Sequence, residues 1–154
     1  MNYNLVKQFK KQFRHLEEKY TEKDFIYVAI DIHETILFPT HSTELSKDFY
    51  PYALDTLKLI TSHPRIRTIL WTSSLDEITE QYHKFFVEQG INFNFINGNP
   101  EIASPFYANF DKKFFVNVII DDKSGFNAEA DWEPLHDYFL LLKLQDRITY
   151  EQCS

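Results

Sequence analysis

Three short apolar runs, each halting at polar residues, constrain this chain more than any other feature in it. The first, Phe25-Ile-Tyr-Val-Ala-Ile30, is rich in β-branched and aromatic residues and stops at Asp31, with His33 and Thr35 close behind. A run without polar alternation reads as a strand buried on both faces, here one that delivers a carboxylate to a sheet edge. Taken alone, Asp31 is better read as a surface residue that caps a helix after an ordinary strand. Ile66-Arg-Thr-Ile-Leu-Trp71 repeats the pattern before Thr72-Ser73-Ser74, and Phe114-Phe-Val-Asn-Val-Ile-Ile120 repeats it before Asp121-Asp122.

Helical signals fill the intervals. Leu5, Phe9, Phe13, Leu16 and Tyr20 form one stripe at steps of three and four, which predicts an amphipathic helix over 4–20. Residues 39–46 read as a polar loop, followed by a helix from Lys47 to Thr61 with Pro51 in its first turn. Asp76 to Gln89 reads as a helix closed by Gly90. Ile91 to Ile96 alternates apolar and polar residues like an edge strand, and residues 101–112 are irregular. From Trp132 the tail reads as a helix to Leu142, or with Tyr138 to Leu142 as a last strand. Strand, polar turn and helix recurring in this order predict an α/β fold: three-layer, Rossmann-like, its mainly parallel sheet flanked by helices.

With 154 residues the chain fits one domain, divided as an N-terminal helix (1–24), a core (25–126) and a C-terminal helical segment (127–154). Its net charge of −7 argues against long nucleic acid as a partner and leaves phosphorylated small molecules or macromolecules open. One cysteine, Cys153, precludes an intramolecular disulfide, and no apolar run nears the 18 or so residues needed to span a bilayer. A cytoplasmic chain without a membrane partner is the expectation. Residues 1–24 carry six Lys/Arg against four Asp/Glu, yet packing on the domain's own flank explains that helix better than a membrane does. Oligomeric state is left open.

Parallel α/β sheets bind ligands beyond the carboxyl ends of their strands, and this sequence puts Asp31/His33, Thr72/Ser73 and Asp121/Asp122 at three such ends. The arrangement resembles the haloacid dehalogenase (HAD)-like superfamily of aspartate-nucleophile phosphohydrolases. That superfamily has four motifs: a strand then D-x-D-x-T, a strand then Thr or Ser, a Lys, and a strand then an acidic pair. The matching residues are Asp31-Ile-His-Glu-Thr35, Ile69-Leu-Trp-Thr-Ser73, Lys113 or Lys112, and Ile119-Ile-Asp-Asp122, so the resemblance covers residues 25–126.

The resemblance implies a magnesium-dependent phosphatase working through an aspartyl-phosphate. Asp31 would be the nucleophile, Thr72 would bond a phosphate oxygen, and Lys113, preferred to Lys112 for its eight-residue spacing to Asp121, would neutralise charge. Mg2+ would be held by Asp31, the His33 backbone carbonyl, Asp122 and Asp121. Physical chemistry agrees, because three converging carboxylates raise one another's pKa unless a cation joins them.

His33 departs from the pattern, standing where the superfamily's phosphatases carry a second Asp that protonates the leaving alcohol and activates water. Three readings follow: the imidazole does the acid/base work itself, hydrolysis is slow and the acyl-phosphate long-lived, or the site binds phosphate and metal without turnover. No stretch is long enough for a cap domain, so the resemblance implies an open site for a macromolecular or bulky phosphoester.

Overall fold

The structure, a computed structural model, describes residues 4–19 and 24–153. Four strands form one all-parallel sheet in the order β3-β2-β1-β4, with β1 (Ile26–Ile30) between β2 (Ile66–Leu70) and β4 (Val118–Ile120), and β3 (Phe95–Ile96) outside β2. Four helices flank it: α1 (Leu5–Lys19), α2 (Ala53–Thr61), α3 (Asp76–Glu88) and α4 (Trp132–Cys153). The α/β, three-layer-like and Rossmann-like architecture is the one the sequence predicts.

The two faces of the sheet are covered differently. Ile26, Val28, Ile30, Ile66, Leu70, Val118 and Ile120 share one buried cluster with residues of all four helices, among them Phe9, Leu57, Phe86 and Trp132. On the opposite face Tyr27, Ala29 and Ile69 are covered by Phe25, Phe95, Ile102, Phe114 and Val116, drawn largely from the irregular stretch beyond residue 100. That face is covered by non-helical chain.

Several predicted elements are shorter or displaced. The helix expected from Lys47 begins at Ala53, because Phe38 N–H bonds the Asp48 carbonyl at 2.9 Å and Tyr50 N–H the Ile36 carbonyl at 3.0 Å. Pro51 holds Tyr50 out of helical geometry, and Tyr52 then turns the chain with a φ of 67°. The strands expected over 91–96 and 114–120 pair only from Phe95 and from Val118. In both an asparagine delays the ladder: the Asn94 side chain accepts from Thr68 N–H, and that of Asn117 from Tyr27 N–H, each at 2.8 Å. The tail is helical throughout, with no final strand at Tyr138–Leu142, since Trp132, Leu135 and Phe139 pack at helical spacing into the core. Gly90 follows α3 at a φ of 84°, the left-handed conformation that ends helices. Tyr20, the last member of the predicted N-terminal stripe, lies outside the described residues. No helix of the described residues is long and apolar enough to cross a membrane.

Candidate active site

Parallel register lines up the strand ends. Ile30 sits beside Leu70 and Ile120, and the ladder steps onward: Asp31 N–H bonds the Ile120 carbonyl, Trp71 N–H that of Ile30, and Asn97 N–H that of Leu70. Residues far apart in sequence therefore leave one sheet edge together. Asp31, Asp121 and Asp122 can each offer a carboxylate oxygen to a common point, the three atoms lying within 4.8 Å of one another.

The cluster is braced from inside. Thr35 Oγ1 donates to Asp31 Oδ2 at 3.1 Å and accepts from Asp122 N–H at 3.1 Å, so one buried hydroxyl ties the first motif to the acidic pair. The Thr35 carbonyl in turn accepts the Trp132 indole N–H at 2.7 Å. On the other strand end, a 3-10 turn over Asp122–Ser124 is closed by Lys123 N–H donating to Asp121 Oδ1 at 2.8 Å and by Gly125 at a φ of 100°.

Electrostatics follow from this crowding. Burial, reinforced by Asp121, pushes the Asp31 carboxyl up to about 6. Asp121 is raised as well, by burial and by its acidic neighbour. For Asp122 burial is the largest single influence and pulls upward, but the hydrogen bonds and charge of Lys123, whose ammonium lies at 2.6 Å, together with a hydrogen bond from Asp121, leave it lowered. Between about pH 4 and about pH 6, folded Asp31 thus holds a proton that the unfolded chain has released. Without metal, stability is expected to fall as pH rises from about 4 to about 6, where folded Asp31 ionises, and to level off above. A divalent cation such as Mg2+, if held by the three carboxylates, would flatten that slope and raise the unfolding midpoint at pH 7. Thermal scans at several pH values, with and without Mg2+, check both.

The remaining predicted residues have distinct surroundings. Thr72 lies just past β2, where its N–H donates to Asn97 Oδ1 at 2.8 Å and its hydroxyl bonds Ser74 Oγ at 3.1 Å. Lys113 is exposed and forms no ion pair among the described residues; the adjacent Phe114 packs on the Trp71 ring, 5.1 Å between centroids, which draws this segment toward the Thr72 end of the sheet. Lys112 is likewise exposed. The His33 ring does not stand free: Nε2 is 2.8 Å from the Tyr82 hydroxyl, and burial lowers its pKa against the pull of Glu34. Its carbonyl takes no hydrogen bond from the described residues.

Three contributors escaped the sequence reading. Lys123 pairs with Asp122 and approaches Glu34 at 3.8 Å, and the run Asp-Asp-Lys was itself the available signal. Tyr82 and Trp132 act across 49 and 97 residues of sequence, which no local pattern announces. A recess of about 400 Å³ adjoins the cluster, lined by Glu34, Tyr50, Asp122 and residues 125–129.

The fold and this edge define a Rossmann-like α/β protein with a carboxylate cluster beyond its strand ends. Among solved structures it is similar to one described as a conserved protein coded by a locus from Bacteroides thetaiotaomicron, with a TM-score of 0.57 and 23% identity, covering 74% of this chain and 88% of that one. That likeness shows the fold. No family model and no curated protein matches the sequence.

Proposed function

We propose that the chain is a magnesium-dependent phosphohydrolase acting through an aspartyl-phosphate on an as yet unidentified phosphoester. The observation that carries this reading is the convergence of Asp31, Asp121 and Asp122 at the carboxyl edge of a parallel sheet. An all-oxygen donor set of three carboxylates suits a hard divalent cation, and the His33 carbonyl, without a hydrogen bond from the described residues, would supply a further oxygen. When bound, Mg2+ would neutralise the cluster and polarise the phosphoryl oxygens.

The protein's own groups would divide the work. An Asp31 oxygen would bond to phosphorus as the bond to the leaving alcohol breaks; water would then attack phosphorus and release the carboxylate. Thr35 keeps Asp31 aimed through its hydroxyl. Thr72 would turn its hydroxyl from Ser74 to a phosphoryl oxygen, and Lys113 would supply positive charge. Lys123, already against Asp122, is a second cation for the same charge.

One observation favours a second reading, a protein that binds phosphate and Mg2+ with little or no turnover: His33, in the acid/base position, has one ring nitrogen engaged by Tyr82. Release of phosphate from a generic aryl phosphate separates the two. The phosphohydrolase reading expects release that requires Mg2+ and stops on chelation. His33→Asp should accelerate it on the order of 100-fold by restoring a carboxylate that can give and take a proton. No release from wild type, together with Mg2+-dependent stabilisation, would favour the binding protein.

A further inference from the structure

We propose that Tyr82 is a positioning residue that fixes His33 as the neutral Nδ1–H tautomer, so that His33 serves the site as a hydrogen-bond donor and not as a proton acceptor. The inference deepens the phosphohydrolase reading and, for its catalytic meaning, rests on it. The starting point is a count of protons on one buried hydroxyl. Tyr82, on α3, is almost wholly buried, and among the described residues two groups lie within hydrogen-bond reach of its oxygen: Ser46 N–H at 3.1 Å and His33 Nε2 at 2.8 Å.

Ser46 N–H has no lone pair to offer, so the Tyr82 oxygen accepts from it. The phenolic proton then has one acceptor within reach, His33 Nε2. Were Nε2 protonated, the Tyr82 oxygen would face two donors and its own proton would be buried without an acceptor, an unfavourable arrangement. Donation by Tyr82 avoids that, and it fills the Nε2 lone pair. A neutral imidazole must then carry its proton on Nδ1, the nitrogen with no partner among the described residues. The Tyr82 and His33 rings also meet edge to face with centroids 5.3 Å apart, a contact that holds the imidazole in this orientation.

The consequence for the reaction is specific. Hydrolysis of an aspartyl-phosphate forms a bond from water oxygen to phosphorus, breaks the phosphorus–oxygen bond to Asp31 with the electron pair returning to the carboxylate, and releases a proton from the water. His33 held in this way has no free lone pair for that proton. It offers Nδ1–H to an oxygen of the phosphoryl or leaving group and leaves the water's proton to solvent or to product phosphate.

The test is the nitrogen spectrum of His33 in the intact, metal-free chain at neutral pH, assigned through loss of its signals in His33→Gln. The expected wild-type pattern is a protonated Nδ1 with an unprotonated, hydrogen-bonded Nε2. In Tyr82→Phe, which keeps the ring, the expected change is a several-fold rise in the Nε2–H form. A wild-type spectrum with Nε2–H or with both nitrogens protonated overturns the proposal, as does a Tyr82→Phe spectrum identical to wild type. If Tyr82→Phe does not fold, the wild-type spectrum decides alone. None of these readings requires turnover, so failure of the phosphohydrolase assay and failure of the tautomer assignment are separate results.

Discussion

Asp31→Asn is expected to cut Mg2+-dependent phosphate release by at least about a thousand-fold, to the level seen without protein. The amide that replaces the carboxylate has no anionic oxygen to attack phosphorus, while its carbonyl oxygen can still accept from Thr35, so the local structure should survive. The same substitution removes one of three crowded negative charges. Without metal, Asp31→Asn should therefore unfold at a higher temperature than wild type at pH 7, and the fall in stability between about pH 4 and 6 should shrink. Loss of activity with gain of stability separates removal of a nucleophile from damage to the fold. Equal rates in the two proteins would mean that Asp31 is not the attacking group.

The second large effect concerns a residue with no chemistry of its own. Trp132 opens α4, is 1% exposed, packs edge-on against Phe126 with centroids 4.9 Å apart and donates its indole proton to the Thr35 carbonyl. Trp132→Ala should cost about 3–5 kcal/mol in urea denaturation, a large share of the roughly 5–15 kcal/mol that holds a domain together. Trp132→Phe isolates the hydrogen bond. It keeps most of the apolar bulk but leaves a carbonyl of a fully buried residue unpaired, at about 1–3 kcal/mol. Because the hydroxyl of Thr35 joins Asp31 to Asp122, Trp132→Phe should also weaken Mg2+ binding measured by titration calorimetry. A cost below 1 kcal/mol for Trp132→Ala would refute this role.

Legibility in the sequence tracked the range of the interaction. The three apolar runs announced the three longer strands, most clearly at β1, where burial at all five residues leaves an unbroken apolar signature; β2 carries the half-buried Arg67 and β4 the exposed Ile119, and the carboxylates of Asp31, Asp121 and Asp122 were readable as residues at strand ends. The start of α2 was misplaced because residues 47–50 look helical by composition, whereas their backbone is spent on pairing with residues 36–38, a tertiary contact. Strands β3 and β4 came out short because Asn94 and Asn117 read as ordinary polar positions, although their side-chain amides stand in for the backbone ladder. His33 was seen as the departure from pattern. Its hydrogen-bond partner, Tyr82, lies far along the chain on α3 and carries no local mark.

The unequal covering of the sheet sets where the molecule opens first. Strand β1 is paired along both edges and buried at all five residues, so its amides should exchange with solvent deuterium only as fast as the whole domain unfolds. Residues 101–116, which shield the Tyr27–Ile69 face with few backbone hydrogen bonds of their own, should exchange far faster. Phe106 and Tyr107 stand out from that stretch into solvent, an exposed pair suited to chymotrypsin. Limited digestion should therefore nick the chain there before any helix is cut, and the nicked protein should keep its helical circular dichroism, since every helix packs on the other side of the sheet.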